Sequence, residues 1–124
     1  MARLLTAADA KLLDLPGRRS RELVSGKIGS QMSFRLVEIA PQKPGDKPRG
    51  PHLHGGFEEC IYVLSGRGMM QSESGTLDAG PGDVLLVPAG EKHMTVNTGS
   101  ETLVLLCFFP VPDVGAGTTE FASF

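Results

Sequence analysis

The chain's histidines are three, His52, His54 and His93, and a carboxylate, Glu59, lies close to two of them. His52 and His54 stand at i and i+2. In a strand these positions project from one face, so two neutral imidazoles present themselves together as a metal chelate. Gly55 and Gly56 then turn the chain, and Glu59 opens the next strand, from which its carboxylate returns over the same place. His93 follows the Pro88-Ala89-Gly90 turn. Three imidazoles and one carboxylate suit Fe(II), Mn(II), Ni(II), Co(II) or Zn(II). On an octahedral ion they leave two positions open for water, oxygen or a substrate; on zinc they close a tetrahedron. Each histidine taken alone also reads as an ordinary polar strand residue, and Glu58 and Glu59 as surface carboxylates.

The elements that position these residues are short strands. Sixteen glycines and nine prolines break the 124 residues at close intervals. Strand patterns cover 33–40, 52–54, 59–64, 67–73, 76–79, 83–87, 92–96 and 101–109. They recur about every ten residues with turn signals between them, which predicts an all-β sandwich or barrel. Residues 1–30 read as an N-terminal arm, in which Thr6 caps a short helix that Pro16-Gly17 ends. Residues 31–112 form the barrel. Residues 113–124 read as a C-terminal tail or a strand covering a neighbour. The loop 41–51 is polar and carries four prolines.

Bulk properties exclude several function classes. Net charge is −2 and the sequence pI is about 5.9, so no basic field exists for nucleic acid. Arg18, Arg19 and Arg21, with Glu22 beside them, read as a solvated strand edge. The longest apolar run, 103–109, has strand length, and no segment is long enough to span a bilayer as a helix. Asp9 and Lys11 interrupt the N-terminal apolar residues, against a signal peptide, so a cytoplasmic protein is expected. Cys60 and Cys107 sit in apolar runs and read as small buried hydrophobes, a pair across the barrel being the alternative. Gly66-Arg67-Gly68 is a lone fragment rather than a phosphate-cradling loop.

The pattern resembles the cupin superfamily, whose members carry two motifs. The first, G-x5-HxH-x3,4-E-x6-G, is matched by His52, His54, Glu59 and Gly66, with Asp46 where its leading glycine would stand and Gly45 beside it. The second, G-x5-PxG-x2-H-x3-N, is matched at every fixed position by Gly82, Pro88, Gly90, His93 and Asn97. The resemblance covers about residues 33–110 and implies a double-stranded β-helix, the cupin jelly-roll barrel, of the small single-domain microbial type. It implies one divalent metal on His52, His54, Glu59 and His93. Glu58 would leave seven residues before Gly66; Glu59 fits the spacing on both sides. A homodimer is implied too, with the arm as a strand added to the partner's sheet.

Alternation places Ile61 and Val63 on the face of Glu59, and Thr95 on that of His93. Met69, Met70, Met94 and Phe57 join the cavity or the core. Tyr62 faces away. Arg35 reads as a surface residue, with reach to a substrate carboxylate as the alternative. Asn97 closes a turn with Thr98 and Gly99. With every histidine engaged, no Ser-His-Asp or Cys-His device is available. The resemblance leaves three functions open: a metal-dependent enzyme on a small organic substrate (a dioxygenase-like oxidation, or isomerase or lyase chemistry), a ligand-binding or sensory module, and a metal that only staples the barrel.

Overall fold

The computed structural model describes residues 1–47 and 49–124; Pro48, in the loop 41–51, lies outside the described residues. Among the described residues there are eleven strands: β1 (Lys11–Leu15), β2 (Arg18–Val24), β3 (Ser33–Ile39), β4 (His52–His54), β5 (Glu59–Ser65), β6 (Gly68–Ser72), β7 (Gly75–Ala79), β8 (Val84–Val87), β9 (His93–Asn97), β10 (Leu103–Phe109) and β11 (Thr118–Glu120). They build two antiparallel sheets, of order β1-β2-β3-β10-β5-β8 and β11-β4-β9-β6-β7. This is the expected jelly-roll barrel.

Strict alternation makes the interior. In β10 Leu103, Leu105, Cys107 and Phe109 are buried, as are Ile61 and Val63 in β5, Val37 and Ile39 in β3, and Leu85 and Val87 in β8. Each strand alternates because its other face meets water or the protein's edge. Met70 joins this core. Tyr62 does face outward.

The chain's N-terminal residues depart from the sequence reading. The expected helix is a single 3-10 turn, Ala7–Asp9, with the Thr6 hydroxyl bonded to the Asp9 carboxylate at 2.7 Å instead of capping a backbone amide. Pro16-Gly17 does not end a helix. It is the turn of a hairpin in which Lys11 to Leu15 pair with Glu22 to Arg18, and β2 then pairs with β3 of the same sheet. Apolar Leu13 and Leu15 have the period of a strand, and a hairpin satisfies their backbone groups where a lone helical turn of that length would not. The chain's last residues form β11, which pairs with β4 and covers its edge.

The two motifs shape the corners. Gly66 has φ +82°, and a Cβ there would lie 2.7 Å from the Thr102 carbonyl oxygen, so only glycine fits. The Gly90 amide donates to the His54 carbonyl at 2.8 Å, tying the turn before His93 to the strand that bears the other two imidazoles. The Asn97 side chain closes its turn by accepting from the Gly99 amide, and it donates to the carbonyls of Ile39 and Glu101.

Candidate metal centre

The two sheets contribute different ligand types. β4 and β9 are neighbours in one sheet, and His52 is directly opposite His93 in their register. Glu59 comes from β5 in the other sheet. One candidate donor atom from each of His52, His54, Glu59 and His93 lies within 4.8 Å of every other. His54, Glu59 and His93 are buried and His52 is half-buried. Glu58 is exposed and outside the cluster.

Neighbouring groups fix which imidazole nitrogens face inward. The Thr118 hydroxyl donates to the Val114 carbonyl at 2.7 Å, so it accepts from His54 Nδ1–H at 2.9 Å. His93 Nδ1–H donates to the Glu91 carbonyl at 3.0 Å. In their neutral forms both rings therefore carry a lone pair on Nε2. Each Nε2 lies 3.1 Å from the same oxygen, Glu59 Oε1. Two lone pairs and a carboxylate oxygen repel at that distance unless a proton or a cation lies among them, and the donor set of three imidazoles and one carboxylate fits a divalent ion.

Electrostatics agrees. Burial alone would raise the Glu59 carboxyl, but its contacts with His54 and His93 outweigh burial and hold it below the usual carboxylate range, ionised. Burial, aided by neighbouring His93, pushes His52 down to about 3, so this imidazole is neutral. Burial would also lower His93, yet the hydrogen bond and charge of Glu59 outweigh it and raise this imidazole.

His52, His54 and Glu59 line a cavity of about 270 Å³. Ile61, Leu105, Cys107 and Phe109 give it apolar walls, with Thr95 polar among them. Burial pushes the Cys107 thiol well up, so it stays protonated. Cys60 and Cys107 are both free thiols; they lie on adjacent strands but alternation turns them to opposite faces. Phe57 stacks on His54 at 5.3 Å between centroids, and Phe109 meets the same ring edge-on at 5.2 Å. Val63, Met69, Met70 and Met94 do not line the cavity.

Two arginines correct the sequence reading. Arg35 is no surface residue: it lines the cavity and is paired with Glu22, at 3.1 and 3.2 Å. Arg18 is no solvated edge residue. Alternation along β2 turns Arg18, Ser20 and Glu22 inward and leaves Arg19 and Arg21 on the outer face, where Arg21 lies 3.8 Å from Glu38. Thr118, Arg18 and Arg49 are site residues that motif spacing does not reveal.

The cupin domain family model matches residues 35–109, and the chain belongs to that family. Glucose-6-phosphate isomerase of Thermococcus kodakarensis is 37% identical over 89 residues, 64% of this chain and 47% of that protein. An uncharacterised protein of Methanocaldococcus jannaschii is 34% identical over 56 residues, 45% of each. The matches thus span about half the length of these relatives. Among solved structures, a Lactobacillus farciminis oxalate decarboxylase in complex with formate superimposes with a TM-score of 0.76 at 24% identity, over 92% of this chain and 34% of that one. The polyketide cyclase RemF of Streptomyces resistomycificus gives 0.69 at 25% identity, over 88% of this chain and 79% of its own.

Proposed function

We propose that the protein is a metal-dependent enzyme acting on a small organic substrate, with His52, His54, Glu59 and His93 holding one divalent ion. The observation that carries this reading is the convergence of two Nε2 lone pairs on one buried carboxylate oxygen, that of Glu59, which with His52 and His54 lines a cavity. A bound ion would act as a Lewis acid or oxygen activator for a dioxygenase-like oxidation, or as an electrophile for isomerase or lyase chemistry. The chain's own contribution is positioning. Thr118 and the Glu91 carbonyl hold two imidazoles in one tautomer, and Phe57 and Phe109 fix the His54 ring. The relatives support chemistry at such a site without fixing which: one is an isomerase, one a decarboxylase and one a cyclase.

The test is turnover by protein loaded with Fe(II), Mn(II) or Zn(II), with oxygen uptake and product formation followed on small organic acids and sugars phosphates. Conversion that is lost in His93→Ala supports an enzyme. Ligand retained unchanged with every metal means a binding module instead. Protein that merely unfolds on chelation, with neither turnover nor ligand, means a structural staple.

We also propose a homodimer. It would bury the outer face of the six-stranded sheet, where Leu64, Val84, Leu86 and Phe108 are exposed. Two free thiols suit a reducing compartment such as the cytoplasm. Among the described residues no helix is long and apolar enough to cross a membrane.

A further inference from the structure

The cavity gathers cationic side chains around polar atoms that have no partner among the described residues. Three guanidinium groups line it, those of Arg18, Arg35 and Arg49. Arg35 is neutralised by Glu22. Glu120 lies 3.7 Å from Arg18 and is 56% exposed, and the charge of Glu59 also reaches Arg18. Among the described residues Arg49 is in no ion pair, and Arg18 has only the long one with Glu120.

Two buried polar atoms lining the cavity are unused, one on Arg49 and one on Ser20. Arg49 Nη2 donates to the Thr95 carbonyl at 2.7 Å, which anchors the side chain, while Nη1 is buried with no partner among the described residues. Ser20 Oγ, in a residue 1% exposed, is also buried without a partner. Arg18 donates from Nη1 to the Pro16 carbonyl at 3.1 Å, which fixes its direction. Arg49 packs beside Gly17, and an added Cβ there would sit 3.3 Å from Arg49 Cδ, so the two guanidinium-bearing chains approach from neighbouring backbone. A buried unpaired donor costs about 1–3 kcal/mol, and more when charged, so such groups mark a place where a ligand completes the structure. Burial lowers both arginines, Arg49 to about 10, yet both remain cations at neutral pH.

We infer that Arg18, Arg49 and Ser20 form a subsite for an oxyanion, a carboxylate or a phosphate ester, on the substrate of the metal site. The planar fork of each guanidinium suits such a group and a neutral substrate would leave the charges unpaired. The cavity's 270 Å³ holds roughly ten non-hydrogen atoms at the liquid volume of water, so the substrate is a small organic anion. This deepens the enzyme reading and rests on it for the identity of the cavity as a substrate site. The anion subsite itself does not depend on the metal.

The test is isothermal titration of Zn(II)-loaded protein, and of the same protein after metal removal, with malonate and with glycerol 2-phosphate. Malonamide and glycerol are the neutral counterparts. At least one anion should bind, both neutral probes should not, and Arg18→Gln and Arg49→Gln should each weaken the anion at least tenfold. Arg49→Lys, which keeps charge without the fork, should fall between. Zinc content matching wild type shows that each variant is folded around its site. Neutral probes binding as well as the anions, glutamine variants binding as wild type does, or wild type binding neither anion would each overturn the inference. Protein that takes up no zinc and still binds an anion through these arginines refutes the metal reading and leaves the subsite standing. Whichever anion binds identifies carboxylate or phosphate.

Discussion

Glu58 and Glu59 are adjacent in sequence and opposite in environment, one exposed and one buried against two imidazoles. Glu59→Gln removes the charge that binds the ion, so metal content should fall at least tenfold by elemental analysis, while Glu58→Gln should match wild type. Thr118 acts through His54. Thr118→Val takes away the acceptor that holds Nδ1–H, and affinity for Zn(II) should drop about 10–100-fold in a competition titration with the fold intact. The pH dependence follows from His93. Its imidazole is raised by Glu59, and a proton on Nε2 competes with metal for the same lone pair. Metal affinity should therefore weaken as pH falls through the imidazole range. His52, down to about 3, adds no competing proton above that. The cluster was legible because its spacing is local to two motifs. Thr118 was not, since it meets His54 by strand register across 64 residues, a relation no spacing encodes.

Strands rather than loops carry this site, and their register sets its precision. The strand boundaries of the barrel were largely readable from alternation and turn residues: β3, β5, β8 and β10 fall within two residues of the sequence reading. The first hairpin was not, because five residues such as Lys11–Leu15 specify little until β2 and β3 pair beside them. That miss concealed Arg18, whose inward direction follows at once from the alternation of β2. The corner at Gly66 gives a stability prediction. Gly66→Ala combines a left-handed backbone with a Cβ pressed on the Thr102 carbonyl and Leu103 Cα, and should cost ~2 kcal/mol or more in denaturant unfolding. An unfolding midpoint equal to wild type would contradict that account of the corner.

At the scale of the whole molecule, two sheets close on a cavity that joins a histidine-rich side to a glutamate-bearing side, with arginines along the wall. Neither sheet alone makes the site. The outer face of the six-stranded sheet is the other whole-molecule feature: Val84 and Leu86 on the edge strand β8 are 57% and 64% exposed although their run reads as apolar throughout. Sequence shows that run to be a strand; only the topology shows which face water reaches. Light scattering should give twice the 13.1 kDa chain mass for wild type and the chain mass for Leu86→Glu. A wild-type monomer would refute the dimer. The central claim is the single metal held by four side chains from both sheets. X-ray absorption on Mn(II)-loaded protein, with elemental analysis of the same sample, tests it most directly. The account predicts one ion per chain with three imidazole nitrogens in its shell, and loss of that ion in His93→Ala. Metal well below one per chain in wild type, or a His93→Ala variant that keeps the same ion and the same shell, would contradict it.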